Sequence, residues 1–182
     1  MPRRTRLVLP LLAALLLGLV ALTVSACGYS SDSKDVAEGE VVELGDLKYQ
    51  VVFSRFLNSN DNEDAAYLVG QPPLPKGSNY FGVFLEVQNK SEETQKLAES
   101  FTIKDADEQT YDAIPSESLY AFPFGGEVES QEPIPAPDST PQQGPIEGSL
   151  VLFELPASAS ENRPLTLFIA GPEGPAEVKL DL

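Results

Sequence analysis

Few side chains in this sequence could carry covalent chemistry, and most of the usual catalytic pairs are missing. The 182 residues contain no histidine and one cysteine, Cys27. A serine or cysteine nucleophile activated by histidine is therefore excluded, and so is a metal site built on imidazole. No glycine opens a strand-to-helix passage, so no phosphate-binding loop is predicted. Carboxylates, tyrosines and lysines remain as candidates.

Carboxylates are abundant, with 28 aspartates and glutamates in the chain. Two carboxyl groups flanking a substrate can act as general acid and base in glycoside hydrolysis. No spacing in this sequence singles out such a pair, and abundance alone does not define a site. We therefore predict that the protein is not an enzyme and that it needs no cofactor.

Two acidic turns, at residues 58–64 and 105–108, could offer oxygen ligands to calcium. The first turn has oxygen-bearing side chains at alternating positions. It lacks the sixth-position glycine and the twelfth-position glutamate of the helical calcium loop, where Glu63 and Val69 stand instead. Because asparagine and aspartate also suit ordinary tight turns, we predict solvated turns and no metal site.

The role of Cys27 depends on the segment that precedes it. Three arginines open the chain before an apolar run over residues 7–24, which is the layout of a secretory signal peptide. The run is also long enough for an uncleaved membrane-spanning helix, which is the alternative. The tetrapeptide Val24-Ser25-Ala26-Cys27 resembles the lipobox of bacterial lipoproteins. The resemblance implies that residues 1–26 are removed as a signal peptide and that the thiol of Cys27 receives a diacylglyceryl group.

Either kind of anchor would place the rest of the chain outside the cytoplasm, because the arginines stay inside. Residues 28–40 have almost no apolar side chains, so residues 27–40 are predicted to be a lipidated, flexible tether with a reach of roughly 20 Å. Two acyl chains hold a protein firmly on a membrane. We expect a domain that is exported and anchored to the outer face of the cell membrane or of another envelope membrane.

The acidic composition limits the partners that this domain can bind. The formal net charge is −16, and removal of the signal arginines would leave −19. Nucleic acids are bound mainly through lysine and arginine contacts to phosphate, and anionic lipid surfaces attract the same side chains. We therefore expect no nucleic-acid partner.

Alternation of apolar and polar residues with a period of two recurs from residue 41 to residue 182, which is typical of half-buried strands. Phe81, Val83, Leu85, Val87 and Phe153 are predicted to face the core, and Glu86, Gln88 and Glu154 are predicted to face water. The segment Ser91 to Glu99 is predicted to be a loop or a single short helix. Six or seven short strands between polar turns predict an all-β domain with two packed sheets. Further strands are predicted at residues 47–53, 101–103, 110–111, 165–169 and 178–182.

Three segments, in this order, resemble a family of known proteins: KGSNYFGVFLEVQNKS at 76–91, FTIKD at 101–105 and GSLVLFELP at 148–156. They are similar to a bacterial domain family of unknown function that is common in tethered lipoproteins and similar to the secreted immunoprotective-antigen type. The resemblance implies an immunoglobulin-like two-sheet β-sandwich over residues 41–182 and an envelope location. It carries over no catalytic residues.

Residues 113–145 are a proline-rich insertion outside that pattern and are predicted to form a long loop. The insertion contains three aromatic residues, Tyr120, Phe122 and Phe124, in a polar context. Two hypotheses remain open for them. They either fold back onto the sandwich, as apolar residues normally do, or stay exposed as a partner-binding patch, because aromatic residues are favoured in interfaces.

The function expected from these features is that of a membrane-anchored extracytoplasmic lipoprotein. Its domain would act as a non-catalytic interaction or adaptor module of the cell envelope, with an envelope protein as partner. The alternative is an extracytoplasmic accessory protein that binds calcium or a small solute.

Overall fold

The computed structural model describes residues 35–181. The predicted signal peptide at 1–26, Cys27 and the first part of the tether at 28–34 lie outside the described residues. The described chain is built almost entirely from strands, as local alternation predicts. In chain order its elements are β1 (Asp35–Ala37), β2 (Val41–Leu44), β3 (Leu47–Leu57), α1 (Asn62–Tyr67), β4 (Ser78–Asn89), β5 (Gln95–Lys96), β6 (Phe101–Lys104), β7 (Thr110–Asp112), β8 (Glu127–Val128), β9 (Pro133–Ile134), β10 (Ser149–Pro156), a 3-10 helix (Ala157–Ser160), β11 (Leu165–Ile169) and β12 (Ala176–Leu180).

The strands form two main sheets. Sheet I has the order β1-β12-β11-β6-β7, and sheet II has the order β10-β4-β3-β2, with β9 also paired to β4. A separate two-stranded sheet joins β5 to β8. Neighbouring strands are antiparallel except β1 and β12, which are parallel. The predicted all-β class and two-sheet β-sandwich are therefore confirmed.

The main core lies between the sheets and contains the residues that the alternation predicts. Phe81 and Phe153 are directly opposite each other on β4 and β10, and both are fully buried. Val83, Leu85 and Val87 belong to the same buried cluster. On the opposite face of these strands, Glu154 is exposed and Glu86 and Gln88 are half-buried. The predicted register of β4 and β10 is confirmed.

The start of the domain differs from the prediction. Residues 35–37 form β1, with Asp35 opposite Glu177 on β12, so the predicted tether does not extend to residue 40. Val36 is buried in the main core, and the Oγ of Ser54 donates to the Glu38 carboxylate over 2.6 Å. A strand of three residues with one buried side chain is too short to show a period, so the sequence pattern missed it.

The helical segment also differs from the prediction. The loop alternative describes residues 91–99 better than the helix, since they contain only the short strand β5. The α-helix begins instead within the acidic segment 58–64, at Asn62, where the side chain of Asp61 caps it by accepting from the Glu63 N–H over 2.8 Å. Serine, aspartate and asparagine favour this capping position. Within residues 35–181 no helix has the length and apolar character needed to cross a membrane.

Sheet II is buried on both faces over part of its area, which the sequence analysis did not predict. Phe84, Leu150 and Leu152 point away from the main core and form a second apolar cluster with Tyr67 of α1. The partly buried Tyr120 of the insertion packs against this cluster. The sequence signal for this second buried face is the unbroken apolar run at 150–153, because continuous apolar runs are typical of strands buried on both sides.

Candidate binding groove and the predicted site residues

The three aromatic residues of the insertion do not form one surface. Tyr120 packs edge-on against Tyr67 in the second apolar cluster, with ring centroids 4.7 Å apart. Phe122 is 2% exposed and packs against Phe101 in the main core. Phe124 covers the same Phe101 from the rim and is 36% exposed. Burial of Phe122 removes it from any partner surface in this conformation, and of the three only Phe124 reaches solvent to a large extent.

Backbone hydrogen bonds hold the insertion against the edge of sheet II. The Phe122 N–H donates to the Leu150 carbonyl over 2.8 Å, and the Leu150 N–H donates to the Tyr120 carbonyl over 2.7 Å. The Ile114 N–H makes a similar bond to Leu152 over 2.8 Å. These bonds satisfy the outer edge of β10, which an open sheet would leave unpaired. The insertion is therefore an ordered covering layer for β10.

Asn89, at the end of β4, fixes the other end of the insertion. It is fully buried, and its amide nitrogen donates to the carbonyls of Glu93, Val128 and Glu129 over 2.7, 3.2 and 3.0 Å. Its amide oxygen accepts from both the N–H and the hydroxyl of Ser91. Asn89 is the last residue of β4, and its bonds to residues 128–129 depend on the tertiary structure.

The acidic side chains of the first turn make structural contacts. Asp64 is buried and accepts from the Arg55 guanidinium through both of its oxygens and from the Asn58 N–H over 2.7 Å. Asp61 caps α1 as described above. These contacts connect β3 to α1. They also occupy the carboxylate oxygens that would otherwise be available to a cation. No three acidic side chains in the described part of the chain are grouped so that they could hold a metal ion.

The second acidic turn is organised around Asp105. Its carboxylate is buried and accepts from the Gln109 and Asp107 N–H groups over 2.9 and 3.0 Å and from the Tyr111 hydroxyl over 3.0 Å. Burial alone raises the pKa of a carboxyl group. At Asp105 these hydrogen bonds to the charged form outweigh burial, so the pKa of Asp105 lies below its ordinary value.

This pKa shift predicts a dependence of stability on acid. Because the folded-state pKa of Asp105 is below the unfolded value of 3.8, its stabilising effect is complete above that pH and is lost as the pH falls through the folded-state pKa. We expect Asp105→Asn to be less stable than the wild type at pH 7 and to lose less further stability below pH 4. Urea unfolding followed by circular dichroism across this pH range measures both effects.

Glu154→Gln is the control for that experiment, since it removes an exposed carboxylate from β10. It should follow the wild-type acid profile. An Asp105→Asn profile parallel to that of the wild type would contradict the assignment of acid sensitivity to Asp105.

The outer face of sheet II carries a groove beside the covered half. The groove has a volume of about 420 Å³, within the range of small-ligand sites. Its floor is made by outward-facing side chains of β3 and β4, which are Lys48, Gln50, Glu86 and Gln88. Val41 of β2 lines one side, and the insertion segment 133–137 lines the other. We call this feature the sheet II groove.

The sheet II groove contains charged groups of both signs. Lys48 forms an ion pair with Glu43 on the neighbouring strand, with Nζ and Oε1 2.6 Å apart. Glu86 and Lys90 also line the groove, and neither forms an ion pair or a side-chain hydrogen bond with any residue in 35–181. A carboxylate and an ammonium group are thus left available to a ligand.

Two glutamine amides supply further polar groups in the groove. The amide nitrogen of Gln50 donates to the Gly39 carbonyl over 2.9 Å, and that of Gln88 donates to the Gln131 carbonyl over 3.1 Å. These bonds hold the side chains in place and connect the floor to the insertion. The floor can therefore offer fixed hydrogen-bonding groups, while Val41 and Ile134 supply aliphatic walls.

The fold is that of the β-sandwich proteins, and comparison with solved structures agrees. The chain is similar to an uncharacterized β-sandwich protein from Clostridium difficile 630, with 12% identity and a TM-score of 0.50 over 82% of this chain and 95% of that chain. It is also similar to the yjhA protein from Bacillus subtilis, with 16% identity and a TM-score of 0.54 over 80% and 99%.

A further likeness is to ycdA from Bacillus subtilis, a candidate lipoprotein, with 10% identity and a TM-score of 0.47 over 80% of this chain and 39% of that chain. No known protein family and no curated protein matches the sequence. At these identities the comparisons show the β-sandwich fold alone.

Proposed function

We propose that this chain is an exported lipoprotein, acylated on Cys27, whose β-sandwich is a non-catalytic interaction module at the outer face of a membrane. The domain would be of the immunoglobulin-like kind that the sequence resembles. The observation that carries the proposal is the sheet II groove, with its unpaired carboxylate and ammonium groups. These groups can bind a partner or a solute.

The position of β1 supports a module held close to the membrane. Seven residues, 28–34, lie between Cys27 and the first strand. Even a fully extended chain of this length spans at most about 24 Å. The ligand or partner of a domain tethered in this way would have to lie near the outer membrane surface.

The buried carboxylates support a non-catalytic role. Asp64 and Asp105 are the buried acids of residues 35–181. Asp64 accepts hydrogen bonds from the Arg55 guanidinium and the Asn58 N–H, and Asp105 accepts a hydrogen bond from the Gln109 N–H in its own turn. General acids and bases need access to a substrate, whereas these two groups stabilise loops.

A second candidate function, that of a solute-binding accessory protein, is favoured by the size of the sheet II groove. Its volume suits a small molecule better than the large flat area of a stable protein interface. Both candidates use the same groove and the same anchor, and they differ in what occupies the groove.

Replacing Cys27 by alanine in the complete chain tests the proposal. We expect the wild type to incorporate a fatty-acid analogue and, with a photoreactive residue at position 88, to cross-link to a discrete envelope protein in intact cells. Cys27→Ala should remain an unprocessed precursor without acyl label, because the thiol is the lipid acceptor, and should lose that cross-link. Metabolic labelling and analysis of the cross-linked products measure these outcomes.

A photoreactive residue at position 154, which is exposed on β10, is the matched control and should not give the same cross-linked product. Unchanged acyl labelling of Cys27→Ala would contradict the lipid anchor. Identical products from positions 88 and 154 would contradict an interaction through the groove.

A further inference from the structure

Glu86 and Lys90 carry opposite charges, and neither side chain forms an ion pair or a hydrogen bond within the described part of the chain. Five other cations in residues 35–181 form ion pairs with carboxylates. Lys90 is one of two lysines in residues 35–181 without such a partner, and the other, Lys76, lies outside the groove. Glu86 and Lys90 both line the sheet II groove, so a carboxylate and an ammonium group are available to a ligand at one place on the surface.

The spacing of the two groups sets the length of a complementary ligand. Glu86 lies on β4 and Lys90 follows its last residue, and the two positions are four residues apart on the outward-facing side of the strand. At about 3.3 Å per residue, their Cα atoms are roughly 13 Å apart. An extended tripeptide is about 10 Å long, and a charge-assisted hydrogen bond of about 2.8 Å at each end brings the span to about 16 Å. The long side chains of Glu86 and Lys90 can reach this span from Cα atoms about 13 Å apart.

We propose that the sheet II groove binds a short zwitterionic peptide of about three residues, extended along β4. The peptide ammonium group is bound by the carboxylate of Glu86, and the peptide carboxylate is bound by the ammonium group of Lys90. Gln50 and Gln88 offer amide groups to the peptide backbone, and small apolar side chains contact Ile134. The inference deepens the solute-binding candidate, because it names the solute that the groove would take.

The chemistry of the groove favours a peptide over other small ligands. A dianion would leave Glu86 facing a like charge, and a dication would do the same to Lys90. Sugars and nucleobases are commonly bound by stacking on aromatic rings, and none of the residues that line the groove within 35–181 is aromatic. A peptide has opposite charges at its two ends and donors and acceptors between them.

Isothermal titration of the complete chain in detergent with trialanine, N-acetyl-trialanine and trialanine amide tests the inference. We expect saturable binding of trialanine and about tenfold weaker binding of each blocked peptide, equivalent to about 1.4 kcal/mol for each lost charge pair. Glu86→Gln should weaken trialanine binding about tenfold and make it insensitive to acetylation. Lys90→Gln should weaken it similarly and make it insensitive to amidation.

Glu154→Gln and Lys76→Gln remove the same kinds of charge outside the groove and should bind trialanine like the wild type. Absence of saturable binding up to about 10 mM trialanine, or equal binding of free and blocked peptides by the wild type, would overturn the inference even if a groove variant failed to fold. Loss of peptide binding with the Cys27 label and the cross-link intact would remove the peptide but leave the interaction module. Peptide binding without the Cys27 label or without the cross-link would support the peptide inference and contradict the lipid-anchored interaction module.

Discussion

Replacing Phe153 by alanine is expected to lower the free energy of unfolding by about 3 to 5 kcal/mol, as large-to-small changes in packed cores do. Phe153 is fully buried, directly opposite Phe81, between the two sheets. Removal of its ring leaves a cavity that surrounding strands cannot fill, because their backbones are held by hydrogen bonds on both sides. Urea unfolding of the purified chain in detergent measures the loss.

Glu154→Ala, at the next residue of β10, is the matched control because its side chain is exposed. It should change the unfolding free energy by less than about 0.5 kcal/mol. A loss below about 1 kcal/mol for Phe153→Ala would show that the ring is not packed in the core and that the strand register is wrong.

Replacing Asn89 by aspartate is expected to cost at least about 3 kcal/mol of unfolding free energy. The change is nearly isosteric, but it replaces the amide nitrogen that donates to the Glu93, Val128 and Glu129 carbonyls. An acceptor oxygen would then face three other acceptors in a buried site. We also expect faster proteolysis within residues 113–145, because these bonds hold one end of the insertion.

Asn79→Asp makes the same chemical change at an exposed position of the same strand and should leave both the unfolding free energy and the proteolysis rate near those of the wild type. If Asn89→Asp unfolds like the wild type, Asn89 does not hold the insertion. If Asn89→Asp is destabilised while the insertion stays resistant to protease, Asn89 stabilises only the turn at residues 89–93.

The main core could be predicted from the sequence because strand alternation is a local property. Phe81, Val83, Leu85 and Val87 occupy every second position of one strand, so a buried face follows from their order alone. β1 and α1 could not be predicted in this way. A three-residue strand and a six-residue helix are too short for a period, and both are stabilised mainly by distant residues.

The candidate site could be predicted only in part. The outward positions of Glu86 and Gln88 follow from alternation, but nothing in the local sequence says that residues 133–137 lie beside them. The aromatic residues at 120–124 stand out by composition, yet their separation into two apolar clusters depends on the path of the insertion past β10. Composition therefore points to the insertion that covers β10 and not to the sheet II groove.

The sequence by itself determined the all-β class, the two-sheet sandwich and the inward-facing residues of β4 and β10, because these depend on alternation within single strands. The tertiary structure decided which outward-facing residues are covered and which remain open. Phe84 lies under α1 and the insertion, whereas Glu86, two residues further along the same face, opens into the groove. The physical reason is that covering of an outer face is set by contacts between segments far apart in the chain, and a local pattern of residues does not record them.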